Sequence, residues 1–160
     1  MTLENTLQVP VLLKRQLQAE VIGPIHAELV KQLGVDRASQ ILDAAISHAA
    51  IAEGQAFAAK AEGGKPSMAD FVKLYELWTQ NGSLEIEVLE QSDTKFDFNV
   101  TRCRYAETYK AMGLGEIGHL LSCNRDAGFC QGYDPGMKLE RAQTIMAGAK
   151  CCTFRYSRDA

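Results

Sequence analysis

The sequence predicts an α+β fold in which N-terminal helices pack on an antiparallel sheet built from two hairpins. Apolar residues recur at helical spacing through the first half of the chain. The spacing then falls to two near Leu84 and again near the C-terminus. Helices and hairpins are segregated along the chain rather than alternating, which argues against a parallel sheet. The length of 160 residues suits one domain, with a helical scaffold over about 1–82 and the sheet and site over about 83–160.

The first helix is expected from Val11, with Val11, Leu12, Leu17, Val21, Ile25, Leu29 and Leu33 on one face. Gly23-Pro24 predicts a kink or break, because a mid-helix proline loses a backbone bond and crowds the preceding turn. Gly34 suits a C-cap and Asp36 an N-cap. The second helix carries a stripe of Ala38, Ile41, Leu42, Ala45, Ala49, Ala52 and Ala56, able to pack within the chain or across a dimer. Gly63-Gly64 ends it. Ser67 starts the third helix, whose apolar face is Phe71, Leu74, Leu77 and Trp78.

Leu84, Ile86 and Val88 then alternate with glutamates, and Phe96, Phe98 and Val100 with Asp97, Asn99 and Thr101. These two strands make the first hairpin. A helix follows over Arg102–Met112 and a shorter one over Glu116–Leu121. Ser122 to Tyr133 is a polar stretch with glycines and cysteines, and Asp134-Pro135-Gly136 a turn. Lys138–Met146 and Cys152–Tyr156 are the strands of the second hairpin.

Composition narrows the functional classes. Apolar residues make up 46% and charged residues 23%, which excludes a disordered or collagen-like chain. The formal charge of −3 supplies no basic excess for nucleic acid. No run of about 18 apolar residues predicts a membrane span, and no leader is visible, so a cytoplasmic location is expected. All five cysteines lie between Cys103 and Cys152, and an odd number cannot pair completely. His26 and His48 form no metalloprotease-type pair and read as structural or solvated.

The second half concentrates charge and thiols beside apolar strands, at Asn99 to Tyr105, Leu121 to Asp126, Arg141 to Met146 and Cys152 to Tyr156. Such density is costly unless the groups are paired or liganded, so a site is expected here. The stretches F-N-V-T-R-C-R-Y-A-E, L-S-C-N-R-D and C-x-F-R-Y, with L-W-T-x-x-G-x-L-E-I-E-V-L-E at Leu77–Glu90, resemble the L-2-amino-thiazoline-4-carboxylic acid hydrolase family over most of the chain. The resemblance implies a hydrolase acting on a non-peptide C–N bond. It would open a cyclic amidine or lactam-like ring to an N-carbamoyl amino acid. Departures from the family pattern stand at Thr153, at Ala142-Gln143 and at Tyr133-Asp134. Cys130 and Cys151 lie outside the motifs.

Among the motif cysteines, Cys123 is the candidate nucleophile, because a cation such as Arg125 two residues on favours a thiolate, with an inert buried thiol as the alternative. His119, four residues earlier, is the candidate base, and Asp126 would orient it or activate water. Arg102, Arg125, Arg141 and Arg155 are candidates to clamp the carboxylate of the substrate the resemblance implies, with salt bridges as the alternative. Cys103, Cys152 and Asn124 complete the expected binding residues. No cofactor is expected. A divalent metal stays open, on three cysteines and a histidine or on Glu116, His119 and Asp126, although neither spacing signals one. The expected partner is a small-molecule carboxylate, with a homo-oligomer open. The alternatives are a non-catalytic small-molecule-binding or thiol redox-sensing module, or a ring isomerase or lyase.

Overall fold

The structure, a computed structural model, describes residues 9–159. Its elements are α1 (Val11–Leu33), α2 (Val35–Ala58), α3 (Met68–Thr79), β1 (Leu84–Gln91), β2 (Lys95–Cys103) and α4 (Arg104–Ala111). A π-helical turn, His119–Cys123, then leads into α5 (Asn124–Tyr133), followed by β3 (Met137–Glu140) and β4 (Cys152–Arg158). The four strands form one antiparallel sheet in the order β1-β2-β4-β3, so the two hairpins join through β2 and β4. The α+β architecture is therefore the one the periodicity predicts.

Alternation decides what each strand buries. Phe96, Phe98 and Val100 of β2 and Cys152, Phe154 and Tyr156 of β4 point to one face. Phe98 stacks on Phe154 with ring centroids 5.0 Å apart. Phe71 of α3 meets Tyr156 edge-on at 4.7 Å. Ser67 caps α3 as expected, its Oγ accepting from Asp70 N at 3.1 Å.

The helices depart from expectation in instructive ways. α1 runs unbroken through Pro24, which lies on its exposed side. Its packing on α2 and α4 outweighs one missing backbone bond. The predicted core stripe of Leu17, Val21 and Ile25 is exposed, and α1 instead buries Arg15, Ala19, Gly23 and His26. Apolar residues occupy both sides of this helix, so spacing alone could not choose between them. Asp36 falls in the first turn of α2, and Gly34, at φ 81°, makes the junction. In α2 the buried ridge is Ala38, Leu42, Ile46, Ala50 and Gly54, while Ala45, Ala49, Ala52 and Ala56 face outward.

That ridge packs inside the chain, against α5. The polar, glycine-bearing stretch, given no element from its sequence, is helical from Asn124, and its glycines permit a close approach to α2. A Cβ on Gly132 would stand 2.1 Å from the Ile51 carbonyl oxygen, and one on Gly54 would stand 2.3 Å from that of Phe129. Glycine costs helix propensity, but here it lets two helix backbones touch. The expected Lys138–Met146 strand ends at Glu140, and a loop with a short 3-10 turn, Ile145–Ala147, takes its place. Thr153 Oγ1 accepts from Ala142 N at 3.1 Å, substituting a side-chain contact for the ladder.

Candidate active site

One cavity of about 60 Å³, partly open to solvent, lies between the sheet and the helices. Its wall gathers Cys103, Cys123 and Cys152 with Asp126, Arg125 and Arg141. Each arrives by a different local device.

Cys103 enters through a β-bulge. Ile86 pairs with Val100 but Glu85 pairs with Arg102, which leaves Thr101 as an extra residue in β2. The bulge turns both Thr101 and Arg102 outward and brings Cys103 in. Cys103 Sγ then caps α4, accepting from Ala106 N at 3.4 Å. Cys152 enters by plain alternation, and its sulfur accepts from Ile145 N at 3.1 Å, pinning the loop that carries Thr144 and Met146 into the wall. Two of the three thiols therefore serve as backbone acceptors.

Cys123 and Asp126 come from the π turn and the first turn of α5. The Asn124 amide reaches back to the His119 carbonyl across this wide turn, a feature often found at functional sites. Arg141, just beyond β3, spans the two residues. Its Nη1 donates to Asp126 Oδ2 at 2.5 Å, its Nη2 donates to the Cys123 carbonyl at 3.1 Å, and its guanidinium lies 5.2 Å from the Phe154 ring centroid. Arg125 is buried and donates through Nε to the Leu121 carbonyl at 2.9 Å.

The electrostatics separate the carboxylate from the thiols. Burial pushes the Asp126 carboxyl up from 3.8 to about 6, although Arg141 pulls the other way. Burial, reinforced by Asp126, pushes the Cys123 thiol up to about 12. Burial likewise raises Cys103 to about 11, and it raises Cys152. Desolvation disfavours the Cys123 thiolate more than Arg141 favours it. Burial and then Arg15 lower Arg125 to about 10.

Several expected participants stand elsewhere. His119 is exposed and outside the cavity wall. Arg102 is exposed and binds Glu107 at 2.8 Å and Glu85 at 3.4 Å, the salt-bridge alternative. Arg155 lies three residues beyond Cys152 and so on the opposite face of the sheet, donating to the Phe98 carbonyl at 2.8 Å and Asn99 Oδ1 at 3.0 Å. Asn124 donates to Asp43 Oδ1 at 2.7 Å and ties α5 to α2. Among the described residues no three His, Cys, Asp or Glu side chains stand close enough to hold a metal ion, so neither proposed ligand set assembles.

Sequence reasoning missed the contribution of the helical half. Arg15, only 4% exposed, lines the cavity from α1, with Tyr75 and Trp78 from α3. Arg15 donates to Gln18 Oε1 at 3.1 Å and to Glu53 Oε2 at 3.0 Å. Burial pushes the Glu53 carboxyl up, but Arg15 and Lys14 more than offset this and hold it below its ordinary range. The signal was present: Leu12, Arg15, Ala19 and Ile22 are spaced three, four and three apart, a cation interrupting an apolar stripe. Among the described residues the cavity wall carries three cations, Arg15, Arg125 and Arg141, and one carboxylate, Asp126, while Glu53 behind Arg15 is shared with Lys14, so the site has positive charge in excess.

No described helix is long and apolar enough to cross a membrane. The fold is similar to that of the phenol-responsive sensory domain of the transcription activator PoxR with phenol, at TM-score 0.52 and 16% identity over 86% of this chain and 73% of that one. A trafficking protein particle complex subunit 3 from Naegleria fowleri, covalently bound to palmitic acid, aligns at TM-score 0.49 and 12% identity, over 92% of this chain and 96% of that one. No curated protein matches the sequence significantly. The profile of the family described as L-2-amino-thiazoline-4-carboxylic acid hydrolase matches residues 14–156. With nearly its whole length matched, the chain belongs to the L-2-amino-thiazoline-4-carboxylic acid hydrolase family.

Proposed function

We propose that this chain hydrolyses a small cyclic amidine or lactam-like ring bearing a carboxylate, with Asp126 as the proton-transfer group and water as the nucleophile. The observation that carries the reading is a carboxylate of raised pKa held by Arg141 inside a cavity with positive charge in excess. Arg125 and Arg15 supply the cationic side that takes the substrate carboxylate. Asp126 accepts a proton from the water as its oxygen bonds to the ring carbon, and Arg141 stabilises the negative charge that develops.

Atom balance fixes the bond that breaks. In a 2-amino-thiazoline the attacked carbon bears the ring sulfur and two nitrogens. An N-carbamoyl product keeps both nitrogens, so the C–S bond opens and the proton passes to sulfur. The C–N bond breaks only where the ring is lactam-like. Cys123, held as a thiol, lines the pocket without attacking.

Mass-spectrometric assay of 2-amino-thiazoline-4-carboxylate should show conversion to the N-carbamoyl thiol, a gain of one water. A chain that binds this compound in calorimetry and never converts it would instead be a binding module. The largely apolar remainder of the wall, including Trp78, Val100, Met146 and Phe154, favours that second reading.

A further inference from the structure

α1 is apolar on two sides. Val11, Leu12, Ala19 and Ile22 face the interior. On the outer side Leu13, Leu17, Val21 and Ile25 are 45%, 50%, 62% and 54% exposed, and their four-residue steps make one ridge. A helix apolar all round is ordinarily a buried helix, yet nothing among the described residues covers this ridge.

The ridge also has charged ends of opposite sign. Lys14 lies seven residues before Val21 (21 − 14 = 7) and Glu28 seven after (28 − 21 = 7). Seven residues are nearly two helical turns, so both charges share the face of Val21. We propose that α1 docks on α1 of a second copy of this chain, antiparallel about a two-fold axis at Val21. Leu17 then meets Ile25 and Lys14 meets Glu28, each twice by symmetry. A parallel pair would set Lys14 on Lys14 and Glu28 on Glu28, so the charge order selects the antiparallel one. Within the chain Glu28 pairs with Lys31 at 3.3 Å on the surface, a contact that costs little to redirect, and Glu53 keeps Arg15 at 3.0 Å when Lys14, 3.3 Å away and half-exposed, turns outward. The face carries one charge of each sign at its ends, which suits a copy of itself better than an anionic lipid surface.

Sedimentation equilibrium of the full chain from about 1 to 100 µM tests this. The expected result is a dimer that Val21→Glu converts to a monomer with an unchanged circular dichroism spectrum. Glu28→Lys should weaken the dimer about tenfold, and adding Lys14→Glu should restore it. A monomeric wild type, whether inert or bound to lipid vesicles, overturns the proposal. So does a Val21→Glu dimer, or a charge swap that fails to restore association.

Discussion

The cavity has one wall of sheet and one of helix, and side chains enter the two by different rules. On the sheet, Val100, Cys152 and Phe154 arrive by alternation, and Cys103 by a one-residue bulge. On the helices, Arg15, Cys123, Arg125 and Asp126 converge from α1, the π turn and α5. The sheet wall contributes uncharged groups, two of them thiols engaged with backbone amides. The charges stand on the helical wall, and Arg141 reaches across from the end of β3 to meet them. Shape thus belongs to one wall and charge to the other.

The sharpest way to break the helical wall is to lift α5 off α2, which supports it from behind. Gly132→Val places side-chain atoms where the Ile51 carbonyl already stands, and should cost about 3 kcal/mol or more in chemical denaturation. Arg141→Leu leaves Asp126 without its partner; a loss of about 3 kcal/mol is expected at neutral pH, with a smaller loss below the Asp126 pKa, where the carboxyl is neutral. On the sheet wall, Cys152→Ala removes an acceptor from Ile145 N and should cost about 1 kcal/mol. Arg102→Ala, outside the cavity, should change stability by less than about 1 kcal/mol and leave turnover intact.

Protonation separates the walls further. The Asp126 pKa is raised on folding, so between 3.8 and about 6 the folded chain holds a proton that the unfolded chain has released. Asp126 therefore makes stability fall as pH rises through that window, and Asp126→Asn should remove this component of the slope. Turnover should move the opposite way, rising with pH through about 6 as the base ionises. A thiolate mechanism would climb at far higher pH, since the Cys123 thiol is pushed up to about 12.

The sheet was more legible than the helices. Alternation placed Phe96, Phe98 and Val100 correctly, and the same rule would have put Cys152 and Phe154 on the core face and Arg155 on the far one had the last strand been weighed in the same way. The bulge at Thr101 depends on β1 pairing with β2 and is invisible along one strand, which is why Arg102 seemed to belong to the site. Motif density located Cys123, Arg125, Asp126 and Arg141, but the π turn that leaves His119 outside the cavity has no clear sequence sign. Arg15 was hidden for a different reason. With apolar residues on both sides of α1, the exposed ridge resembled a core, and the cation in the true core face went unweighed.

The most direct test is turnover of 2-amino-thiazoline-4-carboxylate by Asp126→Asn beside Cys123→Ala, both confirmed folded. Asp126→Asn is predicted to lose about 10²- to 10⁴-fold in kcat while Cys123→Ala stays within about tenfold of wild type. Full activity in Asp126→Asn, with Cys123→Ala inactive, would contradict the account and return the chemistry to the thiol.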